Sequence, residues 1–380
     1  MKGTYVISPE VVDWVIDQIG SDPKPLNALQ ILNEWKSETR TPTFNEIKRV
    51  SKKTRIPLGY FFLQRPPTET IRLMEYRTIA NAEFDTPSRE LVDTINDMEN
   101  IVDWTRSYLE SNHYEPNPIV GMCKDQSDSS AIADTVRRLL GLSINWFELA
   151  DNPFNYLRTK MSENGVIVMM NGIVRENTHR RLNINEFRAF TIIDEFAPLI
   201  FINAADSLNG RLFSLLHEFV HVCLGSNNLY NDRYPEHTTA TIEMLCNAAS
   251  AEILVPSSLF TDVWEIHASS KLPIADIVKM VAKTFKCSQV VIARRAYDEK
   301  KISRKHYDDI VKIAIERFRI ASRTKKDGGH YYNTKASRID RRFFSFIVDS
   351  VAQGTTLYSE AFRLTSTNRH TFFELVERLN

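Results

Sequence analysis

The sequence predicts an α+β protein: a small sheet and two long helices form the core, with helical additions on both sides. Three observations carry this. Short runs rich in Ile, Val, Met and Phe, namely GVIVMMNGIV (165–174), FRAFTII (187–193) and PLIFINA (198–204), read as strands. Two segments with helical spacing follow, over 210–224 and 239–254. Outside this block, apolar residues recur three and four apart and do not alternate. Strands grouped before helices indicate α+β and not a repeating βαβ chain.

The 380 residues leave room for two or three domains. PEVVDWVIDQIG (9–20) has helical periodicity and ends at a glycine. LQILNEWKSETRTPTFNEIKRV then reads as short helices around Pro42, which suits a helix start. QRPPTET closes this segment as a linker. Residues 87–112 and 129–141 read as amphipathic helices. The strands and the two long helices come next, the first helix stopping at Gly225 and the second before Pro256. Beyond them 273–285, 288–298, 303–320, 335–353 and 358–380 all read as helices. The expected division is a helical region at 1–66, a helical linker at 67–127, the α+β core at 128–265 and a helical region at 266–380.

Composition is that of a globular protein, 43% hydrophobic and 25% charged, with 48 basic and 48 acidic residues. A zero formal charge argues against a polyanion as partner of the whole surface. The charge is uneven, however: residues 290–345 hold 16 Lys/Arg against 7 Asp/Glu, a local excess of 9. No apolar run has the length of a bilayer span, and MKGTYVISPEVV lacks the apolar core of a secretion signal. Cys123, Cys223, Cys246 and Cys287 show no CxxC spacing and read as reduced core thiols. These features point to a cytoplasmic protein with no membrane partner.

The chemistry is concentrated in LLHEFVHVCLG (215–225). His217 and His221, four apart, share one helix face and can bind one ion together. Glu218 is placed to reach a water beside that ion and to act as general base. H-E-x-x-H arises by chance in on the order of 1% of chains this long. Here it follows a strand and lies in an apolar helix, where three unpaired titratable groups would be costly without a metal. A catalytic zinc site needs a third protein ligand. Glu243 in TIEMLCNAASAEILVP is preferred, 22 residues after His221 and so far enough for a loop and a helical return; Glu252 is the rival. Asn247, one turn beyond Glu243, and Glu252 are candidates to support the ligands. Tyr230, Tyr234 and His237 in the connecting loop are candidate donors to a tetrahedral intermediate. The implied cofactor is one Zn2+ per chain, and the implied reaction is amide hydrolysis.

These segments resemble the ImmA/IrrE family of intracellular metallopeptidases, which implies a zincin-like metallopeptidase core at 128–265. FRAF…PLIFINAADSLNGRLFSLLHEFVH is similar to the family's strand, turn and R-x-F-x-x-x-H-E-x-x-H run. EMLCNAASAEILVP is similar to its E-x-x-A-N-x-x-A-A-E-L-L-x-P segment, with Cys246 where alanine is usual. The resemblance places the third-ligand role on Glu243. MVAKTFKCSQVVIARRAYDEKKIS and the stretch from GGHYYNTKASRIDRRFFSF onward resemble segments downstream of the peptidase in long members. The family implies a regulatory protease that cleaves or inactivates a helix-turn-helix repressor, switching on mobile-element, stress or defence genes.

WKSETRTPTFNEIKRVSKKTRIPLGYFFLQRPP resembles the end of a repressor-type (XRE-like) helix-turn-helix. Only SDPKPLNALQILNE separates Gly20 from Trp35, which shortens the scanning and recognition helices. A recognition helix needs its length to reach base edges. Residues 1–66 are therefore expected to dock on protein and not to read DNA. A second helix-turn-helix pattern lies at 278–297, where Val281, Ala282, Phe285, Cys287 and Ile292 fit the core spacing. Arg294 and Arg295 are its candidate nucleic-acid contacts, and Lys286 stands where a turn glycine is expected. Two other functions fit the same residues: a DNA-binding regulator with a non-catalytic metal site, or a protease effector of a toxin–antitoxin or phage-defence pair. Glu218 separates the first from a peptidase, because a structural site needs no general base.

Overall fold

The computed structural model of the protein describes residues 5–19, 26–67, 75–77, 87–225, 237–270, 272–323 and 330–379. It divides into two compact units, one of residues 1–72 with 84–95 and one of residues 73–83 with 96–380.

In the first unit, α1 (Pro9–Ile19), α2 (Leu26–Lys36) and α3 (Phe44–Thr54) lead into a 3-10 turn at Leu58–Phe62. Val11, Val12 and Val15 form the buried face of α1 and join Leu32, Trp35, Ile47, Val50 and Phe61 in one core. Thr43 caps α3 and exchanges bonds with Glu46, a capping box. Arg40 ties that box to α2, reaching Glu34 at 2.7 Å and Glu46 at 2.9 Å. Residues 20–25, where the sequence is contracted, lie outside the described residues.

The second unit is built on a four-stranded sheet of order β1-β5-β6-β2, from β1 (Glu75–Arg77), β2 (Ile167–Asn171), β5 (Ala189–Ile192) and β6 (Leu199–Asn203). β2 and β6 run parallel, and β5 runs antiparallel to both β6 and β1. β3 (Ile173–Val174) and β4 (Asn177–Arg181) form a separate hairpin. Every side chain of β5 and β6 is buried. Phe190 and Phe201 stack across the two strands at 5.1 Å.

The helices of this unit are α4 (Arg89–Ser111, from Asn96 onward), α5 (Ser129–Leu139), α6 (Trp146–Leu149), α7 (Pro153–Glu163), α8 (Leu208–Leu224), α9 (His237–Leu254), α10 (Ser257–Ala268), α11 (Ile274–Thr284), α12 (Gln289–Asp298), α13 (Arg304–Arg323), α14 (Tyr331–Arg338), α15 (Arg341–Ala352), α16 (Tyr358–Leu364) and α17 (Arg369–Leu379). α8 packs on β5 and β6, between α7 and α9, and α5 packs on α9. The architecture is thus the expected α+β core with helical additions. No described helix is long and apolar enough to cross a membrane.

Three expected elements are divided in the structure. The strand expected over 165–174 breaks because the Asn171 side chain accepts from the N–H of Gly172 at 2.9 Å and turns the chain into the hairpin. The helix expected over 335–353 becomes α14 and α15, since Asp340 leaves the helix and caps the second piece, accepting from Phe343 N. Asn368 likewise accepts from Thr371 N at 2.9 Å and starts α17, dividing the helix expected over 358–380.

Two contacts fix the site helix. Ser207 caps the start of α8, and at its end Gly225 adopts φ +57° and donates to His221 O. The segment around Gly121 docks there, with Gly121 N–H donating to Val222 O at 3.1 Å and Cys123 N–H to Cys223 O at 2.7 Å. Carbonyls that a helix end leaves open are thereby satisfied. A Cβ at Gly225 would fall 2.1 Å from Gly121 Cα, so this close approach requires glycine. On the far side of α7, buried Asp340 accepts from Ser162 Oγ at 3.0 Å and Val168 N at 3.2 Å, joining the C-terminal helices to β2.

Candidate metal centre

His217, Glu218 and His221 lie on the buried part of α8, at 1%, 1% and 3% exposure. The two imidazoles meet with their Nε2 atoms 3.0 Å apart. Glu243 arrives from the second turn of α9. Its Oε2 is 3.2 Å from His217 Nε2 and its Oε1 is 3.1 Å from His221 Nε2. Ligand atoms of the three residues all lie within 4.8 Å of one another. Burial raises the Glu243 carboxyl, but hydrogen bonds and charge from His217 and His221 outweigh it and hold the group far below the ordinary carboxylate value.

Zinc–nitrogen bonds of about 2.0–2.1 Å in a tetrahedron place donor atoms about 3.3 Å apart. The two Nε2 atoms are 3.0 Å apart and each lies 3.1 or 3.2 Å from a different oxygen of Glu243, spacings of the size that one such ion requires. Two imidazoles with a carboxylate also suit zinc chemically and leave a position for water or substrate.

Two residues that the sequence gave no reason to single out touch these groups. Thr191, on β5, donates to Glu218 Oε2 at 2.8 Å. It was legible only as a β-branched residue in a strand. Cys246 Sγ lies 3.5 Å from His221 Nδ1, on the side of the ring away from Glu243. Cys223, also buried, hydrogen-bonds Cys123, and burial pushes its thiol well above the ordinary value. All four cysteines are buried and none forms a disulfide.

The other residues named from sequence fall elsewhere. Asn247 is half-buried one turn beyond Glu243 on α9. Glu252 is turned away to a different task. It accepts from Ser257 N at 3.0 Å, Ser257 Oγ at 2.6 Å and Arg295 Nη2 at 2.7 Å, binding the end of α9 to the start of α10 and the last turn of α12. Tyr230 and Tyr234 lie outside the described residues, as does the side chain of His237, the first residue of α9. The helix pair expected at 278–297 is present as α11 and α12, with Val281, Ala282, Phe285, Cys287 and Ile292 in its core. Lys286 takes the left-handed turn conformation, φ +50°, in place of glycine, and its Nζ bonds Ala150 O at 2.8 Å. Arg294 is exposed and pairs with Asp298 at 3.0 Å. Arg295 does not project: its guanidinium is consumed by Glu252, Val255 O at 2.9 Å and Ser257 Oγ at 3.1 Å.

Residues 163–297 match the Peptidase M78 family model, described as the IrrE N-terminal-like domain. This segment is similar to the ImmA/IrrE family. It contains His217, Glu218, His221, Glu243, Thr191 and the α11–α12 pair. Residues 339–378 match a domain of unknown function (DUF8813), which begins just before α15 and runs into α17. Curated proteins yield no match to the chain.

Proposed function

We propose that this chain is a cytoplasmic zinc-dependent endopeptidase that cleaves a helix-turn-helix regulator and so switches on mobile-element, stress or defence genes. One observation carries the reading: a two-histidine, one-carboxylate donor triangle with a buried glutamate, Glu218, beside its first histidine. A closed structural site would have no use for that glutamate.

His217, His221 and Glu243 would hold the ion. Bound zinc supplies Lewis acidity towards a peptide carbonyl and lowers the pKa of a water to about 7. Glu218 would take the proton of the attacking water on a carboxylate oxygen as the water oxygen bonds to the carbonyl carbon. When the C–N bond breaks, Glu218 returns the proton to the leaving amine. Glu218 and both histidines are at most 3% exposed, which limits the access of bulk water to the exchange.

The test is co-expression of this chain with the regulator encoded beside it, followed by mass spectrometry of that regulator. Cleavage by the parent is expected, with at least about a hundredfold slower cleavage by Glu218→Gln, whose amide cannot accept the proton. The variant is expected to keep its zinc. An intact regulator with the parent, or equal cleavage by the variant, would overturn the proposal.

A further inference from the structure

Thr191 stands out in β5, whose four side chains, Ala-Phe-Thr-Ile, are all buried. Residues alternate faces along a strand. Phe190 stacks on Phe201 on one face, so Thr191 is on the other, against which α8 packs. Thr191 is only 1% exposed, and a hydroxyl in such a place needs a partner. Its partner is the Glu218 carboxylate: Oγ1 lies 2.8 Å from Oε2, and 3.4 Å from the Glu218 main-chain oxygen.

The consequence lies in the torsions of glutamate. Its last torsion, an sp³–sp² bond, has a broad and roughly two-fold preference, so the carboxylate plane is set by its contacts. A hydroxyl donating to an ionised oxygen forms a short, charge-assisted bond. That bond occupies one of about four acceptor positions of the carboxylate. β5 is anchored in the sheet by its register with β6, Thr191 opposite Ile200. The bond therefore refers the orientation of the carboxylate to the rigid sheet and not to α8 alone.

We infer that Thr191 is a positioning residue for Glu218, holding the carboxylate plane in the orientation from which it deprotonates the attacking water. The inference rests on the peptidase reading for its kinetic consequence, but not for its geometry. Thr191→Val removes the hydroxyl and keeps the branched shape, while Thr191→Ser keeps the hydroxyl. The regulator cleaved by the parent serves as substrate. With Thr191→Val, kcat is expected to fall about tenfold, because a misplaced catalytic group costs rate and not binding, while KM is unchanged. Zinc content is expected to stay at the parental value, the melting temperature to fall only slightly because the buried carboxylate loses one donor, and Thr191→Ser should recover most of kcat. Crystal structures of the zinc-loaded parent and Thr191→Val should show the Glu218 carboxylate fixed in the first and rotated or split in the second.

Parental kcat in Thr191→Val, an activity loss that tracks zinc loss, or an unrotated carboxylate would each overturn the inference. Should the Val variant fail to fold, absence of the Thr191–Glu218 bond from the zinc-loaded parent crystal would do the same. If the parent cleaves nothing while the carboxylate still rotates in the Val variant, the peptidase reading fails and the positioning role stands.

Discussion

At the scale of single residues, the close approach of His217 and His221 demands a third group. Two imidazole nitrogens 3.0 Å apart repel if both rings are protonated. The Glu243 carboxylate, at 3.1 and 3.2 Å, offsets this, and a cation between the three offsets it further. Glu243→Ala is accordingly expected to bring zinc well below one equivalent per chain by elemental analysis; unchanged zinc would remove Glu243 from the ligand set. Cys246 acts on the opposite nitrogen of His221. Groups bonded to the far nitrogen of a ligating histidine commonly govern metal affinity by about tenfold or more. Cys246→Ala should therefore lose zinc to a chelator at several-fold lower concentration than the parent, and Cys246→Ser should lie between them. The juxtaposition of His217, His221 and Glu243 was legible in sequence, because helical spacing puts the histidines on one face and leaves room for the next helix to return. Thr191 and Cys246 were not legible. Threonine in a strand and cysteine in an apolar helix each have an ordinary packing explanation until their neighbours across the fold are known.

At the scale of elements, legibility follows the strength of local signals. α8 and α9 end within a few residues of the expected positions, because Gly225 and Pro256 terminate them for steric reasons. β2, β5 and β6 are apolar, β-branched and buried, and all three were readable. β4, Asn177–Arg181, is polar and largely exposed, so no alternation betrayed it. The internal role of Arg295 was hidden because it depends on where the α9–α10 corner lies. That role yields a contrast. Arg295→Ala leaves the Glu252 carboxylate short of a charged donor and is expected to destabilise the fold by about 1–3 kcal/mol. Arg294→Ala removes an exposed i,i+4 pair and should change stability by less than about 0.5 kcal/mol. Denaturant titration of both variants decides, and equal effects would contradict the assignment. Gly225→Ala is expected to be worse than either. It forces a side chain into the left-handed region and against the Gly121 backbone, a combined loss of about 3 kcal/mol. A parental melting temperature in that variant would mean that the 117–124 segment does not dock on α8 as described.

At the scale of the whole molecule, the zero formal charge conceals an excess of 9 positive charges in 290–345, and the fold reduces its outward effect. Arg295 is bound to Glu252, Lys301 to Glu265, and both Lys335 and Arg338 to Glu176, all acids from outside the segment. Lys335 is buried altogether. Lys305, Lys312 and Arg317 on α13 remain exposed. A surface of this kind is expected to hold nucleic acid only weakly, without regard to sequence, and by counterion release. Each phosphate contact contributes about 0.9 to the slope of log K against log salt on duplex DNA. Replacing Arg294 and Arg295 together by alanine should therefore flatten the slope by about one unit and not two, since only Arg294 faces solvent. Replacing Lys305, Lys312 and Arg317 should flatten it by close to three units. Fluorescence anisotropy on the full chain, with two duplexes of unrelated sequence, from low to physiological salt, reads both quantities. Equal and vanishing affinity for the two duplexes near physiological salt is the expected result. It would leave a helix-turn-helix regulator, and not an operator sequence, as the partner of this chain. Strong preference for one duplex at physiological salt would instead favour a DNA-binding regulator whose metal site is not catalytic.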